Sequence, residues 1–186
     1  MCIRDRNILP PGVERHVVSA GGLTGLQIFP DDEIEIINDE GNQVCEIICF
    51  DKDGKSELAI LNLRENSNKS FIKEILKKKD ESSLATNFQL KKRNLDLNKS
   101  HSSILFDEKT PSGEKIKLKS KDKCYVIFSA PQNDMLVSEQ NPSGDLILFI
   151  KRAKITNDKE LSIIPDPVFE PHYEKNIDRQ TAISFQ

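Results

Sequence analysis

No uninterrupted apolar run in this 186-residue chain exceeds five residues. Leu146-Ile147-Leu148-Phe149-Ile150 is one such run and Cys124-Tyr125-Val126-Ile127-Phe128 is another. Runs this short, bounded by turn residues and rich in β-branched and aromatic side chains, fit strands. They cannot cross a bilayer as helices, which needs about 20 residues. Elsewhere the period is two. Ile34 and Ile36 alternate with Glu33 and Glu35, and Lys115-Ile116-Lys117-Leu118-Lys119 repeats the pattern of a strand buried on one face. Residues 7–63 and 103–152 therefore read as strands. Pro10-Pro11-Gly12 makes the start extended, and Gly21-Gly22 and Gly25 predict turns of positive φ. Asn38-Asp39-Glu40-Gly41-Asn42 separates the alternating strand from Val44–Phe50, which predicts a hairpin. Asp51-Lys52-Asp53-Gly54 then ends its second strand.

Between the two strand regions the period lengthens. Phe71, Ile72, Ile75 and Leu76 recur at helical spacing, with Ser67 or Asn68 as cap. Leu84, Phe88, Leu95 and Leu97 suggest a second helix or irregular segment, with Phe71 and Phe88 on apolar helix faces. The stretch is rich in lysine, which reads as a solvated helical surface rather than a nucleic-acid site, because it lacks interleaved aromatic residues. The expected fold is mostly β: an antiparallel β-sandwich or flattened barrel with one or two peripheral helices from residues 67–98.

A net charge of −3 gives no reason to expect nucleic acid or membrane as a partner. Four cysteines are too few for a disulfide framework in a chain this long. With no secretory apolar segment at the start, the expected location is the cytoplasm. The ends stand apart. Met1-Cys2-Ile3-Arg4-Asp5-Arg6 resembles translated adapter sequence and is read as an artefact. Residues 7–164 form the expected β-rich domain, residues 165–176, with Pro165, Pro167 and Pro171, a stiff linker, and residues 177–186 the start of a truncated following domain.

No arrangement of residues signals a complete catalytic site. Cys45 and Cys49 would lie roughly 13 Å apart along a strand, too far to share a zinc that needs each sulfur about 2.3 Å away; packing in the core explains them. His16, His101 and His172 show no ligand spacing. Gly21-Gly22-Leu23-Thr24-Gly25 lacks the Lys-Ser/Thr of a phosphate loop. Glu33 and Glu35 fall on the outward face of their strand.

Residues Pro30 to Gln43, followed by the apolar strand Val44–Phe50, resemble a motif of the urea-carboxylase-associated domain family. In that motif an alternating strand leads to an acidic or small residue, Gly-x-Gln, and a second strand. The stretch Pro165-Asp166-Pro167 through Ile177-Asp178 to Phe185 resembles the run-in to another copy of the domain. One-carbon enzymes similar to trimethylamine-N-oxide demethylase share this order, with a zinc-holding domain and then a folate domain like glycine-cleavage aminomethyltransferase. The resemblance implies a non-catalytic accessory domain whose partners are downstream domains of the same chain, with a homo-oligomer possible. Zinc and tetrahydrofolate would belong to the parent protein, and this piece would hold no cofactor. Glu46 occupies the family's acidic ligand position, and so is the one candidate metal ligand; its plainer reading is a strand carboxylate facing solvent or paired with lysine. Two alternatives stay open: a small-ligand-binding β domain with a cavity lined by Ile and Phe, and a complete zinc hydrolase of the urea-carboxylase-associated type.

Overall fold

A computed structural model describes residues 9–67, 70–78, 81–132 and 144–154. The opening hexapeptide, His172, the proline linker, the following domain's start and the last ten residues of the 7–164 domain lie outside these. Among the described residues eight strands form two sheets of four. The first sheet runs, in order, β1 (Val13–Val18), β8 (Leu146–Lys151), β3 (Glu33–Asn38) and β6 (Glu114–Lys119). The second runs β2 (Leu23–Ile28), β7 (Cys124–Ser129), β4 (Cys45–Asp51) and β5 (Ser102–Phe106). All neighbours pair antiparallel.

The inner faces interlock as the alternation requires. Ile34, Ile36, Leu118, Leu148 and Ile150 of the first sheet meet Ile28, Ile47, Phe106, Val126 and Phe128 of the second in one buried cluster. Cys45, Cys49 and Cys124 are free thiols filling space in that same cluster. The architecture is the expected β-sandwich, with Cys124–Ser129 a central strand.

A helical layer covers the outer face of the second sheet. Ile72, Ile75, Leu76 and Leu90 pack on Leu23, Ile48, Phe50, Tyr125 and Ile127. The first helix, α1 (Phe71–Ile75), is capped by Ser70 rather than Ser67 or Asn68; the Ser70 hydroxyl accepts the Lys73 N–H at 3.4 Å. Ser67 instead bridges to Ser102 at the sheet edge, and Asn68 lies outside the described residues. The second helix, α2 (Glu81–Lys92), closes the open end of α1: Ser83 Oγ donates to Ile75 O at 2.9 Å and Asn87 Nδ2 to Leu76 O at 3.1 Å. Ile75 O also accepts the Lys78 N–H at 2.9 Å, and with these contacts Ser83, Thr86 and Leu90 turn inward. Leu84 and Phe88 consequently point outward, 57% and 63% exposed, against the apolar-face expectation for Phe88.

Three local expectations are corrected. Ile34–Ile37 and Val44–Phe50 do not form a hairpin: β3 lies in the first sheet and β4 in the second. β4 is buried on both faces from Cys45 to Phe50, so it needs a strand on each side and takes β5 and β7. Gly41 and Asn42 do adopt positive φ, 79° and 57°, but the turn they make carries the chain across to the other sheet. Among Gly21, Gly22 and Gly25, only Gly21 has positive φ, 76°. Gly25 lies inside β2, where a Cβ would overlap the Tyr125 hydroxyl; it serves close approach. Leu58–Leu61, within the region read as strand, is a one-turn 3-10 helix capped by Glu57.

Candidate functional site

Glu46 is fully buried and faces the helical layer, so it does not meet solvent, and it is in no ion pair with a lysine among the described residues. Its Oε2 accepts the Ile72 N–H at 2.7 Å, in the first turn of α1, and lies 3.5 Å from Ser129 Oγ. Burial pushes the carboxyl above its ordinary pKa, and hydrogen bonds from Ile72, Ser102, Ser70 and Ser129 pull it back down. A lone charge inside the apolar run Val44–Phe50 is the local sequence feature that goes with such a buried acid. Cys45, next along the strand, points to the opposite face, into the inter-sheet core. The donors around Glu46 are thus hydroxyls and an amide, whereas zinc is held by thiolate, imidazole and carboxylate groups. Among the described residues no three His, Cys, Asp or Glu side chains are grouped to hold a metal. These surroundings do not fit a zinc ion.

The most elaborate polar network was missed in the sequence. Arg152, just past β8, forms a two-pronged contact with Glu14 of β1, Nε to Oε1 at 2.8 Å and Nη2 to Oε2 at 3.0 Å. Its Nη1 donates to Asp32 Oδ2 at 2.7 Å and to Gln27 O at 2.9 Å. Asp32 also accepts the N–H groups of Phe29 and Ala153, at 3.0 and 2.9 Å, and His16 Nε2 lies 3.2 Å from Glu14. Burial alone would raise the Glu14 pKa, but the hydrogen bonds and positive charge of His16 and Arg152 hold it down at about 2. The network staples the ends of β1, β2, β3 and β8. Nothing in the local spacing marks it, because its members are 120 and 138 residues from Arg152.

Among the described thiols Cys45 and Cys49 offer no nucleophile, whereas the hydrogen bond with Cys49 lowers the pKa of the buried Cys124. Burial raises the Cys45 pKa far above its usual value, and the adjacent Cys124 thiol together with burial does the same to Cys49. His101 Nδ1 meets Glu65 at 2.8 Å on the surface. Glu33 and Glu35 pair with Lys151 and Lys117 at 3.7 and 3.4 Å on the outer face of the first sheet, as their alternation implied.

Concavities lie on both flanks of the sandwich among the described residues. A groove of about 590 Å³ crosses the outer face of the first sheet, with Leu9, Pro10, Val13 and Phe149 among charged side chains. A more polar pocket of about 450 Å³ lies where the end of α2 meets β2, β7 and the turn after β4. The pocket lining is Gln27, Asp51, Lys52, Arg93, Leu95, Lys123, Cys124 and Tyr125.

These features define a β-sandwich module with a helical cover. No family model matches the chain. It is 30% identical over 177 residues to trimethylamine-oxide aldolase of Ruegeria pomeroyi, an alignment covering 95% of this chain and 22% of that enzyme. The chain thus spans about a fifth of the length of the curated relative it matches. No helix among the described residues is long and apolar enough to cross a membrane.

Proposed function

We propose that this chain is a non-catalytic accessory domain of a multidomain one-carbon enzyme acting on trimethylamine N-oxide. The observation that carries the reading is the asymmetry of the match: nearly all of this chain aligns, but with only 22% of a much longer aldolase. The interior supports it. The Ile and Phe side chains of the strands are packed against one another, and the buried acid Glu46 is engaged in anchoring α1. In this reading zinc and tetrahydrofolate serve the remainder of the parent polypeptide, as the resemblance to the urea-carboxylase-associated and aminomethyltransferase-like domains implies. The present domain positions those catalytic units or helps them assemble.

The test is the gene that contains this sequence and the protein it encodes. The reading frame is expected to continue beyond Gln186 into a cysteine-containing metal domain. The whole protein is expected to consume trimethylamine N-oxide, and the 186-residue chain alone to consume none. A stop codon directly after Gln186, or turnover by the isolated chain at the rate of the whole protein, would refute the proposal. Elemental analysis of the isolated chain addresses the zinc-hydrolase alternative. A tightly held stoichiometric zinc ion would favour it, because structural zinc survives purification.

A further inference from the structure

We infer that the pocket between the second sheet and the end of α2 binds the oxyanion group, carboxylate or phosphate, of a small organic molecule. This inference stands independently of the accessory-domain reading. Tyr125 and Gln27 lie opposite one another in register on β7 and β2 and line the pocket with Lys123, Lys52 and Arg93. The pocket brings three cations together with one carboxylate, Asp51. That carboxylate is already committed, because its Oδ1 accepts the N–H groups of Asp53 and Lys55 at 2.9 and 2.8 Å.

Arg93 is positioned rather than loose. α2 ends with Asn94 in the left-handed region, φ 54°. The Asn94 N–H donates to Lys91 O at 3.1 Å and the Leu95 N–H to Leu90 O at 2.9 Å. This is a Schellman closure, and Leu95 packs against the cluster that holds Leu90. It satisfies two of the helix's terminal carbonyls, which would otherwise repel an anion. The guanidinium then stacks 4.8 Å above the Tyr125 ring. Tyr125 can lie across β2 only because residue 25 is glycine.

What Arg93 lacks is acceptors. Its Nε is hidden from water without a hydrogen-bond partner, and its contact with Gln27 Oε1 is long, at 3.5 Å. Arg152 shows how differently this fold treats an arginine serving structure alone, giving it two carboxylates and a carbonyl. None of Arg93, Lys52 and Lys123 is in an ion pair with a described residue. Nε is out of a ligand's reach as it is of water's, so an oxyanion supplies acceptors to the terminal guanidinium nitrogens, whose contact with Gln27 is the long one, and to the neighbouring ammonium groups. About 450 Å³ is ample for a small organic molecule and excessive for a bare ion, and Leu95 gives that molecule an apolar wall.

The test titrates the ¹⁵N-labelled 186-residue chain with succinate and with inorganic phosphate, against sodium chloride at matched ionic strength. Saturable shifts are expected at the amides of Lys123, Tyr125 and Asn94, and whichever probe saturates at lower concentration identifies the oxyanion class. Arg93→Gln should raise the dissociation constant about tenfold, the loss of one charge-assisted hydrogen bond. Lys123→Gln, at an exposed position, is the second variant should the first disturb the fold. A rise of threefold or more in either variant supports the site. Linear shifts matching those of chloride, or a smaller change in both variants, overturn it.

Discussion

Replacing Glu14 with glutamine tests whether the Arg152 network stabilises the sandwich as its geometry implies. Glu14 falls from an ordinary 4.5 to about 2 in the folded chain. At about 1.4 kcal/mol per tenfold change, that drop corresponds to about 3 kcal/mol of stability at neutral pH. The Glu14 side chain keeps 19% of its exposure, and glutamine retains one acceptor for the guanidinium, so the expected loss is about 2 kcal/mol. The sign follows from the direction of the shift. A carboxyl depressed in the folded state contributes fully above its unfolded value of 4.5 and loses that contribution as pH falls toward about 2. Glutamine does not titrate, so the gap between wild type and Glu14→Gln should be full near pH 7 and close as pH approaches 2. Other acids titrate in both proteins and cancel in the difference. Urea unfolding followed by circular dichroism at pH 7, 4.5, 3 and 2.5 reads the gap directly. A gap below about 0.5 kcal/mol at pH 7, or one of equal size at pH 7 and 2.5, would refute the reasoning, since either would leave no folded-state shift to measure.

Other perturbations probe the remaining polar and packing devices. Glu46→Gln keeps an acceptor for the Ile72 N–H and removes a buried charge, so urea melts at pH 7 should show it at least as stable as wild type, whereas Glu46→Ala should lose about 1–3 kcal/mol. Because the Glu46 pKa is raised on folding, its wild-type disadvantage relative to glutamine should shrink as pH falls toward the unfolded value of 4.5; an unchanged difference would show that the carboxyl is not shifted. Gly25→Ala should cost about 1–3 kcal/mol in urea unfolding and alter the near-ultraviolet signal of Tyr125, because the new methyl overlaps its hydroxyl; an unperturbed, equally stable variant would show that the tyrosine has another place to go. In a Cys2→Ser background, Cys45 and Cys49 should react with a disulfide reagent at least about a hundredfold more slowly in buffer than in urea, as buried thiols of raised pKa do; fast native labelling of either would contradict their place in the core.

Much of the fold was legible because burial writes itself into periodicity. The alternation at Ile34 and Ile36 placed one face inward and Glu33 and Glu35 outward, and both the core and the surface ion pairs follow it. Pairing was not legible. Asn38 to Asn42 has turn chemistry, but turn chemistry reports a change of direction, not which strand lies alongside afterwards. The overlooked constraint was the burial of β4 on both faces. A strand apolar on both sides belongs in the middle of a layered stack, and the six residues after Asn38 span roughly 20 Å, ample for the ~10 Å between sheets.

The same distinction separates the site residues. Glu46 is singled out in the sequence by the family resemblance, with solvent or a lysine as its plainer partner, and only the fold shows that its partner is a helix start. Arg93 carried no local signal; in a lysine-rich stretch it reads as one more solvated cation. Its setting depends on three distant choices: a glycine on β2 that lets Tyr125 lie flat, the left-handed Asn94 that ends the helix, and a turn that has already engaged Asp51. Each has an adequate structural reason alone. Together they leave a stacked guanidinium short of acceptors beside two further cations, in a hollow large enough for a ligand. The two arginines thus differ in whether the chain itself completes their hydrogen bonds, and that difference marks Arg93 for an external partner.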